Sequence, residues 1–135
     1  MANALYDSYR SQALKADCDL DDSIKVALID HGTVTPNVAT HDFYDDIVAG
    51  LVSSLSGALA NKTFTAGVFD ADDITLSAVS GSSFESLNLI DDTPGTNATK
   101  DLIAYIDTAT GLPTTPNGSD ITIQWDSGAN KIFKL

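Results

Sequence analysis

Residues 101–135 read DLIAYIDTATGLPTTPNGSDITIQWDSGANKIFKL and indicate the fold class of the whole chain. Three short apolar segments, at 102–106, 121–125 and 132–135, alternate with stretches rich in Gly, Pro, Asn, Asp, Ser and Thr. Short segments rich in Ile and aromatic residues, bounded by turn-forming residues, are typical of β-strands. This block therefore predicts three C-terminal strands, separated by one long turn and one tighter turn.

The rest of the chain has the same character. Of its 19 acidic residues only Glu85 is a glutamate, and aspartate favours turns and caps over helix interiors. Apolar segments at 24–29, 63–69, 74–79 and 84–90 predict four more strands, with the middle two forming a hairpin around an Asp-rich turn. A looser alternation at 51–59 indicates a further strand. About seven short strands in 135 residues predict one mainly β domain, either a β-sandwich or a flattened barrel.

One N-terminal helix is predicted over about residues 3–14, ahead of a β domain at about 24–135. Asn3 is placed to cap its first turn. Apolar residues recur on one helical face, at Leu5, Tyr6, Tyr9, Ala13 and Leu14. This face either packs on the chain's own domain or docks on a neighbouring subunit. A second, shorter helix is predicted through residues 43–48, with Thr40 as its cap.

The charge balance argues against two classes of partner. The net charge is −12, and the seven Lys and Arg residues are scattered. Nucleic acid binding needs a basic patch or stripe, and an anionic membrane repels an acidic chain, so we expect neither partner. No apolar run approaches the roughly 20 residues that span a bilayer, and no secretory signal is present, so we expect synthesis in the cytoplasm.

Two clusters of aspartates raise the question of a bound cation. The first, at 17–22, would need Gly at position 22 and an acidic ligand at position 28 to form an EF-hand loop, but Asp22 and Leu28 stand there. That motif is excluded, while a looser cation site or a solvated turn both remain open. The second cluster, Asp70, Asp72 and Asp73, leaves the same two interpretations.

No motif points to an enzyme or a cofactor. The histidines His31 and His41 are not positioned as a pair by any pattern, and Cys18 is the only cysteine, so we expect no metal centre and no disulfide. A Gly-x-Ser-x-Gly nucleophile elbow, a phosphate loop and a dinucleotide fingerprint are all missing from the sequence. We therefore expect a protein without catalytic residues or cofactors.

Four blocks of the sequence resemble a family of small virion proteins of tailed bacteriophages. They are, in chain order, MANALYDSYRSQAL, then IKVALID followed by TPNVATHDFYDDI, then GVFDADDITLSAVSG, and finally GLPTTPNGSDITIQWDSGANKIFKL. The resemblance covers most of the chain and is weakest at residues 50–62 and 91–100.

The resemblance implies a structural protein of the virus particle, made in the host bacterial cytoplasm. The preferred interpretation is a capsid decoration or cement protein that binds the major capsid protein and copies of itself on the outside of the head. The alternative is a tail, neck or fibre component, with the long polar loops at 91–99 and 108–119 contacting the host. Candidate subunit or shell contacts are Leu5, Tyr6, Tyr9, Leu14, Pro113, Pro116 and Asn117.

Overall fold

The computed structural model describes residues 3–17, 19–93 and 95–135, and this part of the chain is mainly β. Nine strands form three antiparallel sheets in a β-sandwich-like arrangement, accompanied by one α-helix. The elements are β1 (Ala4–Leu5), α1 (Asp7–Lys15), β2 (Ile24–Ile29), β3 (Thr63–Thr65), β4 (Val68–Asp70), β5 (Ile74–Leu76), β6 (Ser86–Asp91), β7 (Leu102–Ile106), β8 (Ile121–Ile123) and β9 (Phe133–Lys134). Short 3-10 helices lie at Tyr44–Asp46, Val48–Gly50 and Asn97–Thr99.

The central sheet has the strand order β1-β7-β6-β2. Its strands β2 and β7 begin and end where the sequence predicts them, and β6 lies close to the predicted segment 84–90. Nearly every residue of β2, β6 and β7 is buried, on both faces of the sheet. Continuous apolar runs such as IKVALI produce this pattern, because strands covered on both sides do not need a polar face.

The two smaller sheets have the orders β3-β4-β9 and β5-β8. The predicted hairpin between segments 63–69 and 74–79 is wrong. The chain instead reverses inside the first segment, at Ala66 and Gly67, which both have positive φ and form a two-residue turn between β3 and β4. β5 is thereby left to pair with β8.

The predicted strand at 51–59 is replaced by an irregular segment that follows β2. Its amides at Val52, Ser56 and Leu59 donate to main-chain carbonyls of β2 at 2.8, 3.0 and 2.8 Å. Ser53 has positive φ, which is incompatible with a regular strand. The segment therefore satisfies the outer edge of β2 without forming a continuous ladder.

The predicted helix at 43–48 is instead two consecutive 3-10 turns. The Asp46 carboxylate accepts hydrogen bonds from the amides of Asp42 and Phe43, at 2.9 and 3.2 Å, and so caps the first turn. The capping residue is therefore Asp46, from inside the turn, and the predicted cap Thr40 lies outside it.

The N-terminal segment is part of the core, which corrects two predictions. The helix begins at Asp7, because residues 4–5 form β1 and pair with β7. Asn3 does not cap the helix: its side-chain oxygen accepts from the amides of Asp107 and Thr108, at 2.9 and 3.1 Å. The N-terminal segment is consequently bonded directly to the β domain.

A buried polar chain fixes the N-terminal segment on the central sheet. The Tyr6 hydroxyl donates to Asn88 Oδ1 at 2.7 Å, and Asn88 Nδ2 donates to Ser86 Oγ at 3.0 Å. All three residues have 0% exposure. The His31 ring extends the chain, with Nε2 2.9 Å from Ser86 Oγ. Burial first, and then the nearby Tyr105 and Asp46, raise the pKa of the Tyr6 hydroxyl, so it remains a hydrogen-bond donor.

We expect Tyr6→Phe to lower the free energy of unfolding by roughly 1–3 kcal/mol, because it leaves the Asn88 oxygen buried without its donor. Urea denaturation of Tyr6→Phe, Asn88→Leu and the double variant measures the coupling between the two side chains. The double variant should lose less stability than the two single variants summed. Strict additivity would mean that this hydrogen bond contributes no net stability.

Candidate functional site

The large apolar side chains exposed in the described part of the chain gather on one side of the molecule. Leu14 is 90% exposed, Leu135 is 62% exposed and Phe64 is 46% exposed. We call these three residues and the hollows between them the apolar face. Apolar residues exposed singly are common on proteins, but a contiguous group indicates a surface that another molecule covers.

The apolar face contains two adjoining hollows that share Ala13 and Leu135. The larger one, of about 630 Å³, is a groove lined by Asn3, Ala4, Leu5, Arg10, Ala13, Leu14, Lys134 and Leu135. The smaller one, of about 320 Å³, reaches Phe64 at its other end. The N-terminal helix and the last strand thus form one continuous surface.

A chain of aromatic rings supports the apolar face from below. Phe64 stacks on the buried Phe69, with ring centroids 5.5 Å apart. Phe69 lies 5.3 Å from Phe133, which meets the Tyr9 ring edge-on at 5.9 Å. Because Phe64 stacks on the buried Phe69, its ring is held in position although nearly half of it is exposed.

The charge at the groove differs from that of the whole molecule. Arg10 and Lys134 are the charged residues in its lining, whereas the chain carries 19 acidic and seven basic residues. Arg10 also lies 3.4 Å from Asp7, in an exposed and therefore weak ion pair. The groove consequently suits a partner surface that combines apolar and acidic side chains.

Four of the predicted contact residues lie in the N-terminal segment, and the structure divides them. Leu5 and Leu14 line the groove of the apolar face. Tyr6 and Tyr9 are 0% and 1% exposed, so their assignment as partner contacts is corrected to a role in the core. The four-residue spacing predicts which residues share a helical face, but it does not show which of them are buried and which are exposed. It therefore could not distinguish the buried tyrosines from the leucines that line the groove.

The three predicted loop contacts are spread along a loop that is well anchored. Its residue Thr114 exchanges two main-chain hydrogen bonds with Phe84, at 2.9 and 3.0 Å. Next to this bridge lies Pro113, exposed and preceded by a cis peptide bond, while Pro116 is half-buried. Asn117 is exposed and its side-chain oxygen accepts from the Ser119 amide at 3.0 Å. These three residues lie outside the apolar face.

In the first acidic cluster, a lysine side chain of the same chain binds two main-chain oxygens. Lys62 Nζ donates to the main-chain oxygens of Asp21, at 2.9 Å, and of Asp22. Within the described residues, no group of three or more His, Cys, Asp or Glu side chains is placed to hold a metal ion. Cys18, for which we expected no metal or redox role, lies outside the described residues.

The second acidic cluster forms hydrogen bonds that join the residues before β5 to the residues after β8. Asp72 accepts from the Asn61 side chain at 2.6 Å, and Asp73 accepts from the Trp125 amide at 2.9 Å. The indole Nε1 of Trp125 donates to the Asp72 carbonyl at 3.0 Å. Trp125 is half-buried and packs against the core.

The two histidines form hydrogen bonds with different partners in different parts of the fold. His31 bonds Ser86 and stacks on Tyr105, with ring centroids 6.1 Å apart. His41 Nδ1 accepts from the Asn37 amide at 3.2 Å and stabilises a local turn. Each ring therefore has a structural partner of its own.

An ion triad joins β2 to the polar loop after β6. The Asp92 carboxylate lies 2.5 Å from both Lys25 Nζ and Lys100 Nζ, with 13% of its side chain exposed. Burial alone would raise the pKa of Asp92, but hydrogen bonds from Lys100 and Lys25 outweigh it and lower the pKa below its usual value. The neighbouring Tyr44 has its pKa raised to about 12, by burial and by the Asp92 charge.

Sequence reasoning missed Phe64, Lys134 and Leu135 as members of the apolar face. All three lie in segments with a strand pattern, and such a pattern does not distinguish an apolar residue facing the core from one facing solvent at a sheet edge. The segments predicted from the sequence, 63–69 and 132–135, carry no local signal that marks these three residues as exposed.

Comparison with known proteins does not place the chain in a family. No protein-family model matches it, and no curated protein matches it. Among the described residues, no helix is long and apolar enough to cross a membrane.

We expect Asp92→Asn to lower the free energy of unfolding at pH 7 by roughly 1.5–3 kcal/mol, since charged hydrogen bonds to two lysines are lost. Because the folded pKa of Asp92 lies below its unfolded value, the wild-type advantage is complete above about pH 4. It disappears as the pH falls further, through the folded pKa.

Urea denaturation at pH 7 and at pH 2.5 measures this difference, with Asp45→Asn at an exposed position as the matched control. A stability gap between Asp92→Asn and wild type that stays constant down to pH 2.5 would contradict the assignment of the lowered pKa to Asp92.

Proposed function

We propose that this protein is a non-enzymatic structural component of a tailed-phage particle that decorates the outside of the head. Its partners are the major capsid protein and further copies of itself. The sequence blocks that resemble phage virion proteins motivate the proposal, and the apolar face is the observation that carries it. A surface with Leu14, Phe64 and Leu135 exposed together suits a protein that works while attached to another protein.

The energetics of the apolar face suit attachment in many copies. Covering one large apolar side chain contributes about 1.5–3 kcal/mol, whereas association itself costs about 4–15 kcal/mol. Three side chains that are already partly covered therefore give weak binding for a single contact. A subunit that bridges two capsomers makes its second contact intramolecularly, so the two weak contacts reinforce each other.

Bridging explains how such a protein strengthens a shell. The pressure of packaged DNA loads the joints between capsomers, and every bridge adds interface area that must separate before a joint opens. The subunit must itself resist unfolding under this load. The central sheet, buried on both faces and tied to the N-terminal segment, provides that resistance.

The charge distribution sets the orientation of the subunit in this proposal. The groove carries Arg10 and Lys134, and the rest of an acidic molecule faces outward. An acidic outer surface keeps full particles soluble but makes neighbouring copies repel one another. Divalent cations reduce this repulsion by screening, so they favour full occupancy of the shell.

We expect the number of copies per particle to be comparable to that of the major capsid protein. Quantitative mass spectrometry of purified virions measures this ratio. A dozen copies or fewer would place the protein in the tail, neck or fibres and overturn the assignment to decoration. Specific adsorption of the purified protein to host cells would favour a host-recognition role instead.

We expect Leu14→Ser to weaken binding to shells stripped of this protein by about tenfold, since it removes roughly 1.5 kcal/mol of apolar contact. The melting temperature should stay close to wild type because Leu14 is 90% exposed. Ser11→Ala is the control, at an exposed position of the same helix outside the groove lining. Unchanged binding of Leu14→Ser would remove the apolar face from the shell interface.

A further inference from the structure

A second concave surface lies beside β8 and shares one lining residue, Asn3, with the groove of the apolar face. It is a cleft of about 630 Å³ whose lining includes the whole of residues 121–126. Residues 108–112 also line the cleft, together with the apolar residues Phe84, Leu87 and Ile106. β5 contributes no residue to this lining, so the cleft lies along the edge of β8 that β5 leaves free.

The main chain of β8 presents hydrogen-bonding groups to that cleft. The Trp125 amide donates towards Asp73, on the β5 side. Alternate residues of an extended strand direct their main-chain groups to the same side, so Ile121 and Ile123 also face β5. By this alternation we infer that the N–H and C=O groups of Thr122 in β8, and of Gln124 directly after it, point to the free edge; both residues line the cleft.

No other strand of the described part of the chain pairs with this edge. Thr122 and Gln124 are two positions apart, which spaces their main-chain groups by about 6.6 Å along the strand. A second extended chain has the same repeat. A free sheet edge inside a cleft is thus suited to a polypeptide, added as a further strand, more than to a compact small molecule.

The lining defines the chemistry of that polypeptide. Its charged residues are Asp126 and Lys131, one of each sign, in a chain whose net charge is −12. Apolar side chains such as Leu112, Trp125 and Ile132 supply much of the rest. An uncharged segment with small or apolar side chains matches this lining. Because β8 has one free edge, one extended segment is expected to pair with it.

We propose that this cleft receives a short, uncharged, extended segment of the major capsid protein, which adds to the β5-β8 sheet as a third strand. The identity of the partner rests on the proposed function; the cleft and its free edge do not. β8 is three residues long, so we expect the bound segment to be about three to five residues long, or roughly 10–16 Å. This contact adjoins the apolar face at Asn3 but involves otherwise different residues, and it supplies the second attachment that bridging requires.

Thr122→Pro tests the proposal, because proline removes the outward N–H of β8 without breaking a bond to β5. Thr75→Pro is the matched control: Thr75 lies directly opposite Thr122 in the β5-β8 ladder, and its main chain points away from the cleft. Binding of both variants to shells stripped of this protein is measured at equal protein concentration. We expect Thr122→Pro to bind at least tenfold more weakly than Thr75→Pro.

A second pair of variants covers the case in which Thr122→Pro melts far below Thr75→Pro. Thr110→Arg places a long side chain in the cleft lining without changing β8, and Ser54→Arg makes the same kind of change at an exposed position outside the cleft. We expect only Thr110→Arg to lose binding by tenfold or more.

Equal binding of Thr122→Pro and Thr75→Pro, both folded, or of Thr110→Arg and Ser54→Arg, would overturn the strand-addition proposal. The proposed function would survive that result if the wild-type protein still bound shells and Leu14→Ser still bound them more weakly. Failure of the wild-type protein to bind shells would overturn both proposals together.

Discussion

The hydrogen bond between the Tyr6 hydroxyl and Asn88 is the constraint on which the rest of the structure depends. Asn88 lies in the middle of β6, an interior strand of a sheet that is buried on both faces. An amide in that position is costly unless it is bonded. The bond satisfies one end of the amide and holds the N-terminal segment against the sheet, where β1 pairs with β7.

That constraint decides which surfaces remain for other molecules. Because Tyr6 and Tyr9 point inward, Leu5 of β1 and Ala13 and Leu14 of α1 are left to line the groove. Asn3 is held by hydrogen bonds from the amides of Asp107 and Thr108. At these residues the chain leaves β7 and begins to line the cleft. Asn3 lines both the groove and the cleft, so the two concave surfaces adjoin at one anchored residue.

The small sheets explain why the molecule has exposed surfaces that suit binding to another molecule. β3, β5, β8 and β9 are two or three residues long, and each belongs to a sheet of only two or three strands. Sheets this small leave free edges and incompletely covered side chains. Short edge strands also limit uncontrolled association, since few main-chain groups are exposed in any one place. The design suits a protein that needs specific attachment points on a stable core.

The sequence by itself determined the mainly β class and the limits of β2 and β7. Continuous apolar runs and turn-forming residues carry that information locally. Only the tertiary structure decided that β5 pairs with β8, that Tyr6 and Tyr9 face inward, and that Phe64 and Leu135 face outward. Strand partners and the exposed side of a residue depend on contacts between segments far apart in the chain, and a local pattern of apolar and polar residues does not encode them.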